Sequence, residues 1–335
     1  MGSTVTLPFD RWTSSDVVDP NDLYLPNDSS YDSSRALEWG TAMDLVSGGK
    51  VHVPLAALVR KRLQDDPYFS KRLSKKYFST NGLASGFSIT EALHHGICER
   101  VERHAFKLAE QDISNPGNLP GAGRAYAHID LSTCPPSTRR ICAALQASGC
   151  LVRVIDVTCE VSIPTYFAMV FRPSKWNDDQ IDQGLEFSGP GICAHSNPEV
   201  AINRAILEAV QCILVYFTDR SDTVLQVRSL GRHERPRPNA LGELSRMPPW
   251  VPMRPYSTEG GFSGSSAREE LGFLLRRVTA ASFNRVLYTD LSREETMPAR
   301  VVRVYIPGME DINPVHTGIR ARARIVADLL HRHEW

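Results

Sequence analysis

The chain repeats part of its own pattern, because residues 82–102 match residues 191–211 when the sequence is shifted by 109 positions. Each stretch has a glycine-containing loop and then a helical segment that contains Glu-x-Val followed by Glu or Gln. The matched pairs include Gly82 with Gly191, Ala92 with Ala201, Ile97 with Ile206, Glu99 with Glu208, Val101 with Val210 and Glu102 with Gln211. Polar as well as apolar positions coincide, which makes chance agreement of aliphatic residues a poor explanation. The repeat therefore predicts a duplicated loop–helix unit.

The first copy contains a helix, which we predict from about Thr90 to Ala109 with Ser88 or Thr90 as its cap. At 100° per residue, Glu91, Glu99 and Glu102 fall within about 80° of one another. The far side of this helix is apolar and carries Leu93, Ile97, Val101 and Leu108. The helix therefore separates an acidic side from an apolar side.

The second copy predicts a helix from Pro198 to about Phe217 that is apolar on most sides, which is typical of a buried helix. Its polar residues Arg204, Glu208 and Gln211 fall within about 60° of one another and interrupt the apolar surface. Acids on a buried helix need partners, because an unpaired buried charge is unfavourable.

Two interpretations of the acids in the first helix remain open. Carboxylates at positions i and i+3 can bind a hard cation, Mg²⁺ in particular, with phosphate oxygens and water as the other ligands. In the alternative, Glu99 pairs with Arg103 at i+4 on a wet surface and Glu102 is solvated. The repeated helix beside them favours the cation site.

The remaining pattern alternates helices and strands, so the fold class is α/β, or mixed α+β, with an internally duplicated loop–helix unit. Residues 1–35 are rich in Asp, Ser and Pro and predict a flexible N-terminal arm, followed by one domain over residues 36–335. Strands are predicted around a Gly-Gly turn within 44–54 and at 151–157, 164–171, 284–290 and 301–306. Further helices are predicted at 55–73, 139–148, 267–281 and 313–331, and long loops at 114–123 and 231–268.

Charge and composition narrow the function classes. The 38 Lys and Arg residues balance the 38 Asp and Glu residues, whereas a general nucleic-acid binder normally carries a basic excess. No apolar run reaches the 18 or so residues of a membrane span, and the N-terminus does not read as a signal peptide. The odd number of cysteines, without a C-x-x-C pair, fits reduced thiols. We therefore expect a cytoplasmic protein that binds neither nucleic acid nor membrane.

Two groups of motifs occur in order along the chain. The first is Asn81-Gly-Leu-Ala-Ser-Gly86, followed by Glu91-Ala92 and by Gly96-Ile-Cys-Glu-Arg-Val-Glu-Arg-His-Ala105. The second, within residues 193–211, is Asn-Pro-Glu-x-Ala followed by Arg-Ala-x-x-Glu-x-x-Gln. Together they resemble the YcaO family, whose later signature has Asp or Asn before Pro-Glu-x-Ala. The resemblance covers roughly residues 35–315 in order. The loop at 80–86 is most similar to that of members that work beside a TfuA-like partner.

The resemblance implies an ATP- and Mg²⁺-dependent enzyme that activates backbone amides of a peptide or protein. Attack on the amide by a Cys, Ser or Thr side chain gives an azoline, and attack by a sulfide source gives a thioamide. Such chemistry requires Mg²⁺ on the phosphate oxygens and cationic groups near the developing charge rather than a protein nucleophile. The family also implies a homodimer.

The resemblance further implies roles for individual residues of this chain, by motif position. The implied metal ligands are Glu99 and Glu102. The implied nucleotide contacts are Ala84 in the loop, Glu91, and Glu208 and Gln211 on the facing helix. The implied sources of positive charge are Arg103 and Arg204.

The sequence departs from the family pattern in two places. The family has an N-terminal helix with Ser-x-x-x-Glu-x-x-Glu that supplies another pair of acids, and Glu38 is the sole Glu before Asn81. We therefore expect the chain to start after that helix and to lack its acids. The family usually has Asn after Ala-Ser-Gly, where this chain has Phe87.

Three functions follow from these observations. The first is a YcaO-type enzyme that acts on backbone amides together with a partner. The second is a shortened, non-catalytic relative that binds a peptide or a partner protein as a scaffold. The third is one half of a split enzyme, in which another polypeptide supplies the missing acids.

Overall fold

The computed structural model describes residues 4–12, 16–23, 31–58, 80–114, 126–173, 185–218, 252–262, 264–292 and 298–311. The chain divides into two compact units. The first unit combines Met1–Lys107 with Gly264–Trp335, and the second is Leu108–Ser263. Both ends of the chain therefore contribute to the first unit.

The elements alternate between strands and helices, which confirms the mixed α/β class. The strands are β1 (Val5–Pro8), β2 (Ala36–Asp44), β3 (Lys50–Pro54), β4 (Leu83–Gly86), β5 (Ala127–Asp130), β6 (Leu151–Asp156), β7 (Thr165–Pro173), β8 (Leu185–Ala194), β9 (Met253–Pro255), β10 (Leu287–Asp290) and β11 (Arg300–Tyr305). The helices are α1 (Leu55–Leu58), α2 (Ile89–Ser114), α3 (Pro136–Ala147), α4 (Pro198–Thr218) and α5 (Ala267–Ala280). Among the described residues, no helix is both long and apolar enough to cross a membrane.

The first unit contains a six-stranded antiparallel sheet in the order β1-β2-β10-β11-β4, with β3 paired to β2. Strand β4 ends this order and leads directly into α2. The register places Leu83 opposite Arg303 and Ala84 opposite Val302. Helix α2 begins after Ser88, whose hydroxyl accepts a hydrogen bond from the N–H of Glu91 at 3.1 Å, so the predicted cap is confirmed at Ser88.

The segment predicted to be a loose arm takes part in the core of the first unit. Strand β1 pairs with β2, and the side chains of Val18 and Leu23 are buried beside Trp39. The indole Nε1–H of Trp39 donates to the carbonyl of Leu7 at 2.7 Å. The prediction failed here because these few apolar residues are isolated among Asp, Ser and Pro, so no periodicity marks them.

Helices α2 and α5 meet inside the first unit. Nε2 of His94 on α2 lies 3.3 Å from Oε1 of Glu270 on α5. Helix α5 begins with a capping box, in which Ser266 and Glu269 exchange side-chain and backbone hydrogen bonds. Side chains on α2 are buried or half-buried along its described length, which fits a helix packed on several sides.

The second unit contains a five-stranded sheet in the order β8-β7-β6-β5-β9, antiparallel except for the parallel pair β5–β9. One face packs against α4 through buried Ala and Ile side chains of that helix. The opposite side of α4 is exposed, and Leu207 on it is 51% exposed. The prediction of a buried helix is therefore wrong for this side of α4, since the composition of the helix does not reveal that Arg204, Leu207 and Gln211 face solvent.

The predicted helices at 139–148 and 267–281 are confirmed as α3 and α5 within a few residues, and Gly149 ends α3 with a φ of 77°. Five of the described strands are not predicted by the sequence: β1, β4, β5, β8 and β9. The sequence predicts loops at β4 and β8, because both contain Gly, Ala and Ser, which have low strand propensity. The predicted helix at 313–331 and most of the predicted loops lie outside the described residues, as does the helix predicted at 55–73 beyond Leu58.

Candidate functional site

The first copy of the repeated unit holds together through a carboxylate on α2. Oε2 of Glu99 accepts a hydrogen bond from the backbone N–H of Gly82 at 2.9 Å, just before β4 begins. Gly82 has a φ of 81°, and a Cβ at this position would overlap the carbonyl oxygen of Val304. Glycine therefore permits both the left-handed turn and the close approach of this turn to β11.

Glu99 and Glu102 form an acid pair with Arg103 between them. Nη2 of Arg103 lies 3.1 Å from Oε1 of Glu102 and 3.8 Å from Oε1 of Glu99. Glu102 is 8% exposed. The pairing of Glu99 with Arg103 thus occurs, but the surface interpretation is wrong for Glu102, which is buried rather than solvated.

Burial also affects the charge state of Glu99. Removal from solvent raises the pKa of Glu99 above its ordinary value, while Arg103, the Gly82 N–H and Arg303 act in the opposite direction. Asp311 adds to the increase because it carries the same charge. An anionic Glu99 is therefore costly here unless a further positive charge approaches it.

Two of the charged neighbours come from β11 and the segment after it. Arg303 on β11 is 6% exposed, and its guanidinium lies over the Tyr305 ring at 5.3 Å. Asp311 lies 3.4 Å from Nη1 of Arg100 on α2, with both side chains 1% exposed. The side-chain amide of Asn81 also donates to Asp311. The sequence does not predict this set, because Arg303 and Asp311 lie more than 200 residues after Arg100.

The predicted nucleotide contacts Glu91 and Ala84 lie on the same strand–helix unit. Oε2 of Glu91 accepts a hydrogen bond from the backbone N–H of Phe87 at 2.8 Å, in the turn between β4 and α2. A Cβ at Gly86 would lie 2.9 Å from Cβ of Glu91, so this turn is also packed tightly. Ala84 is half-buried in β4 opposite Val302. Their roles toward a nucleotide stay a prediction.

The second copy of the unit repeats the carboxylate-to-strand hydrogen bond within its own compact unit. Oε2 of Glu208 on α4 accepts from the backbone N–H of Ile192 on β8 at 3.0 Å. A Cβ at Gly191 would overlap the carbonyl oxygen of Ala205 and lie 3.0 Å from Cβ of Glu208. The bond is shifted by one residue, because the 109-residue offset aligns Ile192 with Leu83 rather than with Gly82.

The other predicted residues on α4 are placed differently from Glu208. Glu208 is half-buried, whereas Arg204 and Gln211 are exposed on the outer side of the helix. The first unit thus brings together Glu99, Glu102 and Arg103, with Glu91 and Ala84 nearby. That the residues of α4 join them in one site stays a prediction.

The donor set in the first unit fits Mg²⁺. Glu99 and Glu102 offer carboxylate oxygens from one partly buried side of the helix, and oxygen is the ligand type that this hard cation prefers. A cation beside them would also offset the desolvation that raises the pKa of Glu99. Two carboxylates leave most of an octahedral shell to phosphate oxygens and water.

A family model described as YcaO cyclodehydratase, ATP- and Mg²⁺-binding, matches residues 2–310 of the chain. An uncharacterised protein in the tfuA 3′ region of Rhizobium leguminosarum bv. trifolii is 27% identical over 306 residues. That alignment covers 87% of this chain and 65% of the relative. The chain thus spans slightly less than two thirds of that relative.

Solved structures share the fold at low sequence identity. A heterocyclase in complex with substrate and cofactor matches with a TM-score of 0.69 and 18% identity, over 92% of this chain and 40% of its own. YcaO from Methanopyrus kandleri bound with AMPPCP and Mg²⁺ matches with a TM-score of 0.59 and 18% identity, over 94% of this chain and 71% of its own. The chain therefore has less than half the length of the heterocyclase it matches.

Proposed function

Because this chain belongs to the YcaO family, we propose that it uses ATP and Mg²⁺ to activate a backbone amide of a peptide or protein, giving an azoline or a thioamide. The observation that carries the proposal is the acid pair of half-buried Glu99, which is anchored on the glycine turn before β4, and buried Glu102. Such an arrangement fits the hard cation that the family binds.

Glu99 and Glu102 would hold Mg²⁺ in this proposal. When bound, Mg-ATP supplies the phosphoryl group that turns an amide oxygen into a leaving group. The bond from Gly82 fixes the orientation of the Glu99 carboxylate, which reduces the entropy lost on binding a ligand. Arg103 balances the charge of both acids and offers guanidinium N–H groups to phosphate oxygens.

The remaining predicted residues complete the proposed site. Glu91 and Ala84 would contact the nucleotide from the β4–α2 turn. Glu208 and Gln211 would contribute from α4, and Arg204 would supply further positive charge. Their half-buried or exposed positions leave them accessible to a ligand.

The substrate and partners belong to the same proposal. The substrate would be a peptide or protein, and the location of the Rhizobium relative beside tfuA supports a TfuA-like partner. A homodimer in the cytoplasm would be the working form. Scaffolding without catalysis and a split enzyme are the outcomes against which the proposal is tested.

The test is calorimetric titration of the full chain with Mg-ATP, beside a Glu99→Gln plus Glu102→Gln variant. Glu259→Gln, which changes an exposed acid, is the matched control. Saturable binding that persists in the control and disappears in the double variant would support the proposal. Failure of the folded parent chain to bind Mg-ATP contradicts it and favours a scaffold or a split enzyme.

Binding alone does not distinguish an enzyme from a nucleotide-binding scaffold. ATP turnover is therefore measured with a candidate peptide and a TfuA-like protein, and the product is examined by mass spectrometry. Azoline formation removes one water, about 18 Da, and replacement of oxygen by sulfur adds about 16 Da. Binding without either mass change under any of these conditions would support the scaffold.

A further inference from the structure

Phe87 is the most exposed large apolar side chain among the residues that the structure describes, with 83% of its surface in solvent. It follows β4 directly and precedes the first turn of α2. An aromatic ring in this state forgoes the free energy that burial would contribute. A single exposed apolar side chain is ordinary on a protein surface, so the meaning of this ring depends on its position beside the proposed site.

The ring of Phe87 extends from a fixed backbone. The backbone N–H of Phe87 donates to Oε2 of Glu91 at 2.8 Å, and the backbone N–H of Glu91 donates to the hydroxyl of Ser88 at 3.1 Å. On the other side, a Cβ at Gly86 would lie 2.8 Å from the backbone nitrogen of Ala92. The backbone that carries the exposed ring is therefore already ordered, which lowers the cost of using the ring in binding.

The position of Phe87 suits one end of an elongated ligand. Glu91 precedes Glu99 by eight residues, which is about 12 Å along the helix axis. The segment 82–87, which contains β4, runs beside the same interval, because its first residue donates to Glu99 and its last donates to Glu91. A nucleoside triphosphate carries its phosphates at one end and its base at the other. With its phosphates at Glu99 and Glu102 and its long axis directed toward the start of α2, its base would lie at Phe87.

We propose that Phe87 is the platform on which the base of the bound nucleotide stacks. The inference rests on the proposed nucleotide site and adds to it a contact with the base. A phenyl ring offers a base its face and no hydrogen-bonding group. Because every base has a stacking face, the contact adds affinity without selecting adenine over guanine.

The experiment compares three Mg²⁺-loaded probes, ATP, GTP and inorganic tripolyphosphate, on four forms of the full chain. The forms are the parent, Phe87→Ala, Phe87→Trp and Val46→Ala, the last being a truncation of an exposed apolar side chain in the turn after β2. We expect Phe87→Ala to weaken ATP and GTP by about 5- to 150-fold and to leave tripolyphosphate unchanged. Phe87→Trp and Val46→Ala are expected to bind all three probes like the parent.

The controls separate failure of this inference from failure of the proposed function. If parent and Phe87→Ala bind ATP equally, the stacking inference is overturned and the nucleotide site stands. An equal loss for ATP and tripolyphosphate also overturns it, because the phosphate end of the site has then been disturbed. If the parent binds none of the probes, the proposed function and this inference both fail.

Discussion

Glu99 and Gly82 are joined by a 2.9 Å hydrogen bond from the backbone N–H of the glycine to Oε2 of the acid. The turn at Gly82 has a positive φ and no space for a Cβ, so the acid depends on a position where other residues are strained. Local backbone geometry and the proposed metal site are thus linked through one bond.

This link predicts that Gly82→Ala destabilises the chain more than an ordinary left-handed glycine would. Gly48→Ala is the matched control, because Gly48 has a φ of 74° but nothing within 4 Å of an added Cβ. We expect Gly48→Ala to lower the free energy of unfolding by about 1–2 kcal/mol. Gly82→Ala should lower it by about 1–3 kcal/mol more. Urea unfolding measures both, and equal losses would show that crowding at Gly82 contributes nothing.

The raised pKa of Glu99 predicts that Glu99→Gln stabilises the metal-free chain near pH 7. A carboxyl whose folded pKa is raised contributes stability below its ordinary pKa of 4.5 and loses it as the pH rises through the folded value. Glutamine does not ionise, so it escapes this loss. The difference in unfolding temperature between variant and parent should therefore grow from pH 4 to pH 7.

Glu259→Gln is the control for this pH series, because it changes an exposed acid and should shift stability by no more than about 0.5 kcal/mol. A Glu99→Gln variant that is less stable than the parent at pH 7 and equal to it at pH 4 would contradict the argument. Saturating Mg-ATP is expected to reverse the order, because only the parent gains binding free energy.

Replacement of Gly191 by alanine is expected to destabilise the second unit in a similar way. An added Cβ would overlap the carbonyl oxygen of Ala205 on α4, so Gly191→Ala should cost about 1–3 kcal/mol. Gly272→Ala is the control with opposite sign, because its Cβ meets only Nη1 of Arg276 at 3.4 Å inside α5. Gly272→Ala should raise the free energy of unfolding by up to about 1 kcal/mol.

Thermal unfolding measures the stability changes of Gly191→Ala and Gly272→Ala. Hydrogen exchange of the Ile192 amide reports whether α4 has moved, because that amide donates to Glu208 in the parent. Faster exchange at Ile192 in Gly191→Ala, with no change in Gly272→Ala, is the expected result. Unchanged exchange and stability in Gly191→Ala would mean that β8 and α4 adjust without cost.

Much of the fold could be predicted because helices with strong hydrophobic periodicity can be identified from the local sequence alone. The prediction of Thr90–Ala109 corresponds to α2, and that of Pro198–Phe217 corresponds to α4. Strand β4 was not predictable in this way, since Leu-Ala-Ser-Gly has neither alternation nor β-branched residues. Its assignment depends on pairing with β11, more than 200 residues later.

The candidate site shows the same division between local and distant information. The spacing of Glu99 and Glu102 was enough to predict that both acids share one side of a helix, and Arg103 contacts both of them. Arg303 and Asp311 were not predicted, because sheet pairing rather than sequence proximity brings them to α2. Burial of Glu102 likewise depends on packing that its neighbours in sequence do not reveal.

The hydrogen bonds accepted by Glu99 and Glu208 also bear on how the two copies of the repeated unit can diverge in evolution. In a symmetric dimer of single modules, each substitution appears in both sites at once. A polypeptide that contains two modules is free of that constraint, because each copy mutates independently. The pair Glu102 and Gln211 illustrates the outcome: one copy has a second acid where the other has an amide. Glu99 and Glu208 each accept a backbone N–H, from neighbouring positions of the repeat.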